Sequence, residues 1–287
     1  MASMRDIKRR KGSIQSTQQI TKAMKLVSTV KLQRSKQHAI NSKDYFSNMY
    51  NTVQSMLAKA GTINHPFVQP SESPKKAVIM ITGNRGLAGG YNSNVVKLIT
   101  KGDLKKEDLI IYTVGKKGRE AMKRLNYQMT DDYSEMIDEP EYVDAMRLST
   151  TVLNSFKNGE IGEIYLAYTS FKNTVVHEPV LMKLLPVEPV ETIVEKTDED
   201  DNIPMNFEPH EEEALDLIIP KYITSLIYGG MVESVASENG ARMQAMDSAT
   251  SNAEDMISKL SLQYNRARQG SITQELTEII AGAQAIS

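Results

Sequence analysis

The feature that most constrains this chain is a helical stripe running almost unbroken from about Glu211 to Ala285. Along it, apolar and small residues recur at alternating intervals of four and three: Val232, Ala236, Asn239, Met243, Met246, Thr250, Ala253, Ile257, Leu260, Tyr264 and Ala267. That alternation is the seam of a coiled coil, which needs a second helix to cover it. At 1.5 Å per residue, a helix of about 75 residues is a rod of roughly 110 Å. A globular domain drawn from 287 residues cannot bury such a rod. The spacing therefore predicts pairing with another helix and contact with other proteins.

The partner within the chain is its other end. Residues 1–60 read as one long basic helix, with Ile7, Ile14, Ile20, Met24, Val27 and Val30 mostly on one side. Gly61 and His65-Pro66 stop it. Past the Pro- and Ser-rich stretch Pro70–Pro74 the period changes. Ala77–Thr82, Leu109–Val114, Glu163–Tyr168 and Val180–Leu185 read as strands. Helices are expected from Asn92, over Lys116–Leu125 and over Tyr142–Phe156. Strands alternating with helices predict a small, mainly parallel α/β domain of Rossmann-like type. The acidic stretch Glu188–Pro209 reads as a linker. The expected fold is α/β: a long antiparallel coiled coil of the terminal helices, 1–60 with 208–287, carrying an inserted α/β domain over 75–190.

Net charge is only −2, but its distribution is uneven. Arg5, Lys8, Arg9, Arg10, Lys11, Lys22, Lys25, Lys31, Arg34 and Lys36 face a single acid, Asp6, in the first 36 residues. Residues 195–213 hold nine acids against Lys196. Such asymmetry points to electrostatic partners. There is no cysteine, which excludes disulfides, thiol nucleophiles and thiolate metal sites. No run reads as a membrane span, and no apolar region follows the basic N-terminus as in a secretory signal.

Candidate sites are few. The loop Gly83–Gly90 lies between a strand and a helix, where a phosphate cradle would sit. Its Gly83-x-x-Gly86-x-x-Gly89-Gly90 spacing fits neither the Walker loop nor the dinucleotide fingerprint, so it reads as a structural turn. His38, His65, His177 and His210 show no metal-ligand spacing. No catalytic constellation stands out, and no cofactor is expected. The basic face of residues 5–36 lacks aromatic residues before Tyr45. Without stacking residues it suits an acidic protein better than nucleic acid.

Two distant segments carry a resemblance. They are Gln19-Ile-Thr-Lys-Ala-Met-Lys-Leu-Val27 and Tyr264-Asn-Arg-Ala-Arg-Gln-Gly-Ser-Ile-Thr-Gln-Glu-Leu-Thr-Glu-Ile-Ile-Ala-Gly-Ala283. Together they resemble the gamma subunit of the bacterial F-type ATP synthase, whose ending Ile-Thr-x-Glu-x-x-Glu-x-x-x-Gly-Ala matches Ile272 to Ala283. Arg85-Gly-Leu-Ala-Gly-Gly-Tyr-Asn92 and Ala236-Ser-Glu-Asn-Gly-Ala-Arg-Met-Gln-Ala-Met246 add to it. The resemblance implies a non-catalytic rotor shaft, coupling proton or sodium flow to ATP synthesis or hydrolysis on neighbouring beta subunits. It implies alpha and beta subunits, epsilon and a membrane ring of c subunits as partners, at the cytoplasmic face of the bacterial cell membrane. Contact with the membrane would be through those partners alone, and no nucleic acid is implied.

By the same resemblance, Met24, Arg242, Arg268, Gln269, Thr273 and Glu275 serve coupling or contact with the catalytic head, as does Glu208. Arg9, Arg10, Lys22 and Lys25 resemble the face turned to acidic loops of the beta subunits. The family often has Asp where this chain has Asn84, Glu where it has Lys25, and Ala where it has Gly240 and Gly270. Gly240 lies off the seam, so alanine there is expected to stabilise the helix by roughly 1 kcal/mol. Two rival readings are a nucleotide-binding α/β protein using Gly83–Gly90 and a basic coiled coil that binds nucleic acid or membrane.

Overall fold

The computed structural model describes residues 3–59, 65–69, 71, 73–187 and 211–286. Two helices bracket the chain: α1 (Met4–Lys59) and α5 (Glu211–Ile286). Between them stand β1 (Lys76–Ile81), α2 (Tyr91–Thr100), β2 (Leu109–Val114), α3 (Lys116–Arg124), β3 (Gln128–Asp132), α4 (Tyr142–Lys157), β4 (Glu163–Phe171) and β5 (His177–Leu185). The chain divides into two compact units, Met1–Thr29 with Arg242–Ser287, and Val30–Ala241.

In the larger unit the strands form one sheet in the order β3-β2-β1-β4-β5. The first four strands are parallel and β5 returns antiparallel beside β4. β1 is buried on both faces, as a near-continuous apolar run implies. Its alternate residues feed two cores. Val78 and Met80 pack with Val95 and Ile99 of α2 and Met122 of α3. Ala77, Ile79 and Ile81 pack with Leu148 and Phe156 of α4 and with α5. β3 has no counterpart among the expected strands, because Gln-Met-Thr-Asp-Asp is polar and mostly exposed. It is an edge strand held by its neighbour, not by an apolar face of its own.

The first third of α5 belongs to this core. Leu215, Ile219, Ile223, Ile227 and Met231 recur every four residues and are buried against the sheet. Polar groups fix the fit. Thr169 N donates to Ser234 Oγ (3.3 Å), Ser237 Oγ donates to Thr169 O (3.2 Å), and Phe171 N donates to Glu233 Oε2 (3.1 Å). α5 does contain a stretch long and apolar enough, by composition, to cross a bilayer, more than half of it buried within the protein. Its apolar side chains are spent on a sheet, and a helix buried in a soluble core has the same composition.

The smaller unit is an antiparallel pair. Gln18 Nε2 donates to Glu254 Oε1 (3.0 Å), Thr21 and Thr250 share a hydroxyl contact (2.8 Å), and Lys25 Nζ meets Asp247 Oδ1 (2.6 Å). As α1 climbs seven residues, α5 descends seven. The expected seam on α5 holds: Val232, Ala236, Asn239, Met246, Thr250, Ala253 and Leu260 are buried, and Met243, Ile257, Tyr264 and Ala267 half-buried. The expected stripe on α1 holds only in part: Ile7 is buried and Ile14 and Met24 are half-buried. Ile20, Val27 and Val30 are 59%, 58% and 51% exposed. The residues turned inward are Met4, Ile7, Lys11, Ile14, Gln18, Thr21, Lys25, Ser28, Leu32 and Ser35, at unbroken intervals of three and four. The seam of α1 is thus largely polar and small. Its outward face carries Ile20, Leu26, Val27 and Val30.

Candidate functional site

The described side chains singled out from the sequence fall into three groups, positioned by α1 and α5. The first is the basic face of α1. Arg9, Arg10 and Lys22 are exposed. Arg9 reaches Asp6 at 3.3 Å, but both side chains are more than half in solvent. Such a pair contributes less than about 1 kcal/mol, so it leaves Arg9 able to turn to another carboxylate. Lys25 is half-buried, and its ammonium meets Asp247 Oδ1 at 2.6 Å in a pair whose side chains are 40% and 62% exposed. Beside it, Met24 is half-buried.

The second group lies where α5 passes the middle of its seam. Arg242 is 9% exposed and engaged within the fold. Glu238 and Asn239, in the turn before it, are buried as well. Asn239 Nδ2 returns to Val235 O at 2.9 Å, which keeps a polar seam residue satisfied.

The third group is the far end of α5. Arg268, Gln269, Thr273 and Glu275 are exposed, as is every described side chain from Ile272 to Gln284. The register set by Thr21 and Thr250 brings the start of α1, at Met4, level with about Ala267. Beyond that point α5 has no cover from α1. Thr273 Oγ1 donates to Gln269 O (2.9 Å), Thr277 Oγ1 to Thr273 O (2.8 Å), and Gln274 Nε2 to Glu278 Oε1 (2.9 Å). These bonds run along the helix, leaving Arg268 and Glu275 free to point outward. Ile272, Leu276, Ile279 and Ile280 are exposed too. An apolar surface with this continuity marks a contact with other molecules. The expected coupling residue Glu208 lies outside the described residues.

The Gly83–Gly90 loop is built as a joint. Gly83 N donates to Asn92 Oδ1 (2.8 Å), and Asn92 Nδ2 donates to Arg85 O (3.3 Å). Asn84 donates through Nδ2 to Ser134 O (2.8 Å) and accepts from Lys116 N (3.0 Å). A carboxylate could do only the second, so the amide at 84 fits its surroundings. The Glu238 carboxylate packs so closely on Gly83 that a Cβ there would lie 2.5 Å from it. A negative charge against the first glycine works against a phosphate in the loop. Among the described residues no cluster of His, Cys, Asp or Glu could hold a metal ion.

A further joint was misread from spacing. Gly240 is off the seam, yet a Cβ there would meet His177 Cε1 at 2.7 Å. The His177 ring, stacked on Phe171 at 6.0 Å, fills the space that alanine would need. Close approach, not economy, places glycine at 240.

The pattern is a chain whose exposed elements are built for contact. A protein-family model described as ATP synthase matches residues 3–286. The ATP synthase gamma chain of Lachnoclostridium phytofermentans is 63% identical over 292 residues, covering 100% of both chains. This chain belongs to the ATP synthase gamma family. A sodium ion specific ATP synthase gamma chain from Acetobacterium woodii is 41% identical, covering 99% of each. Among solved structures, a chain of the Euglena gracilis mitochondrial ATP synthase OSCP/F1/c-ring assembly aligns with 99% of this chain and 94% of its own. Its TM-score is 0.71 at 20% identity, so the fold is shared where most of the sequence is not. A chain of the Tetrahymena thermophila mitochondrial central stalk and c-ring gives 0.58 over 80% of this one.

Proposed function

We propose that this gamma chain does no chemistry itself and is the central rotor shaft of an F-type ATP synthase. It turns inside a hexamer of alternating alpha and beta subunits. ATP synthesis and hydrolysis then belong to the beta subunits, and the shaft supplies asymmetry. Each face it presents favours a different open or closed state of the beta subunit beside it, so rotation exchanges their nucleotide affinities. This is coupling through differential contacts. The observation that carries the reading is the uncovered end of α5, where apolar Ile272, Leu276, Ile279 and Ile280 alternate with polar and charged neighbours.

The parts divide accordingly. Residues 1–60 and 208–287 are the shaft, and 75–190 the foot, which meets epsilon and the c-subunit ring. Met24, Arg242, Arg268, Gln269, Thr273, Glu275 and Glu208 are the coupling residues. Arg9, Arg10, Lys22 and Lys25 are the basic face turned to acidic loops of the head. The protein sits at the cytoplasmic face of the bacterial cell membrane, held there by its partners. Proton or sodium flow through the ring drives it, and the shaft transmits torque whichever ion moves.

Affinity purification of the tagged chain from host membranes tests the reading. Alpha, beta, epsilon and c subunits are expected to co-purify. Recovery without alpha and beta would overturn it.

A further inference from the structure

The seam of α1 poses a problem of register. Apolar layers select how two helices slide past one another only when their sizes differ along the seam. Here the inward residues of α1 between Ile14 and Leu32 are Gln18, Thr21, Lys25 and Ser28, with Met24 and Thr29 half-buried beside them, facing a stretch of α5 rich in Ala and Met. With so little apolar contrast, burial alone gives several registers similar weight. The structure nevertheless has one.

We infer that three polar rungs, Gln18–Glu254, Thr21–Thr250 and Lys25–Asp247, are a register lock that sets the two shaft helices at a single axial offset. The central rung is buried, Thr21 being 7% and Thr250 9% exposed. Thr250 Oγ1 donates to Met246 O (2.7 Å), and Thr21 Oγ1 lies 2.8 Å from Thr250 Oγ1. With Thr21 as donor across the pair, both hydroxyl protons find oxygens. A slip of one turn brings Thr21 level with Ala253 or Met246. Neither offers a hydroxyl, so the cross-helix bond is lost and Thr21 keeps only the acceptor in its own helix, Gln18 O at 3.0 Å. The same slip carries Lys25 and Gln18 about 5.4 Å from their carboxylates. All three rungs are made together or lost together. A single buried polar pair in a coiled coil acts in this way, specifying register at some cost in stability.

The consequence rests on the shaft reading. Torque passed through two helices is lost if they slide, and sliding would shift Met24 on α1 relative to Arg268 and Thr273 on α5. The lock itself does not rest on that reading, because register is measured on the full chain without partners.

The chain has no cysteine, so cysteines placed at the exposed positions Ser13 and Gln244 give one unique pair of spin labels. In the otherwise unaltered chain a single interlabel distance is expected. Thr21→Val with Thr250→Val keeps shape and removes both hydroxyls. It is expected to add a second population shifted by about 5 Å, one helical turn, without lowering the melting temperature. Thr21→Ser with Thr250→Ser keeps the hydroxyls and is expected to retain the single distance. Lys25→Glu is expected to split the distribution, and Lys25→Glu with Asp247→Lys to restore it. A single unshifted distance in the valine pair overturns the lock, as does a split distribution in the serine pair. Failure of the exchanged ion pair to restore what Lys25→Glu disturbs removes Lys25–Asp247 from it. Loss of alpha and beta on purification would sink the shaft reading and leave these distances unaffected.

Discussion

The two units of this chain spend the same kinds of residue in opposite ways. In Val30–Ala241, leucine, isoleucine and valine are buried inside: β1 has every residue after Lys76 buried, and α5 contributes five apolar residues at four-residue spacing. In Met1–Thr29 with Arg242–Ser287, isoleucine and leucine are often outside, while threonine, serine, glutamine and lysine line the seam. The first unit closes on itself. The second leaves apolar surface for partners and keeps its own pairing specific through hydrogen bonds. One stretch of chain is selected for stability and the other for contact, although α1 and α5 both run through the two units.

The sharpest way to break this comparison is to remove equal amounts of side chain from each unit. Ile219→Ala, in the sheet core, is expected to cost about 2–5 kcal/mol of unfolding free energy. Ile279→Ala, at the exposed end of α5, is expected to stay within about 0.5 kcal/mol in the isolated chain. Denaturant unfolding of both variants measures the contrast. Similar losses would show that the end of α5 is packed within the chain.

Gly240→Ala sharpens the comparison at the level of one joint. Helix propensity favours alanine by about 1 kcal/mol, but overpacking against the His177 ring typically costs about 1–3 kcal/mol. A net loss of about 1 kcal/mol in thermal or chemical unfolding is expected. The variant Gly240→Ala with His177→Ala should be less affected by alanine at 240 than the chain with His177 present. Stabilisation by Gly240→Ala alone would restore the reading made from spacing.

The same histidine predicts a pH dependence for the larger unit. Burial pushes the His177 imidazole below its ordinary 6.5, with the Thr174 backbone pulling the other way. A base depressed in the folded state binds fewer protons folded than unfolded. Its stability contribution is therefore complete above 6.5 and drains as pH falls through that value towards the folded one. Melting temperature should fall over that window, and His177→Asn should flatten the fall. An equal slope in the variant would remove His177 from the account.

The smallest effect is expected on the basic face. Reversing Arg9 and Arg10 to glutamate should leave folding within about 0.5 kcal/mol and reduce ATP-driven ion pumping by the assembled complex. Unchanged pumping would separate this face from coupling.

Much of the architecture was legible before the fold. The α5 seam declared itself because each of its positions is apolar or small, and the first two strands because runs such as Ala-Val-Ile-Met-Ile are buried on both faces. β3 was hidden because an edge strand needs no apolar face. The α1 seam was hidden for a related reason. Its register is polar, so a search for apolar periodicity finds Ile20, Val27 and Val30, which face outward. Only unbroken three–four spacing of Gln18, Thr21, Lys25 and Ser28 carried the signal. Asp247 as the partner of Lys25, and His177 beneath Gly240, are tertiary pairings that no local pattern contains. The group proposed for coupling at the end of α5 rests on resemblance, and the structure adds that Arg268, Gln269, Thr273 and Glu275 are exposed.

In the proposed rotor the exposed end of α5 divides in two: Ile279 and Ile280 at the tip give an apolar surface without directional bonds, and Arg268, Gln269 and Thr273 below it can hydrogen-bond the head. Purified complexes carrying either a truncation after Glu278 or Arg268→Ala, Gln269→Ala and Thr273→Ala together can be compared for subunit content and ATP hydrolysed per complex. The truncation is expected to lower the yield of assembled complex while leaving substantial turnover in what assembles. The triple variant is expected to assemble and to turn over slowly, since charged, desolvated hydrogen bonds are worth more than neutral ones. Abolished turnover in fully assembled truncated complexes, or normal turnover in the triple variant, would contradict the account.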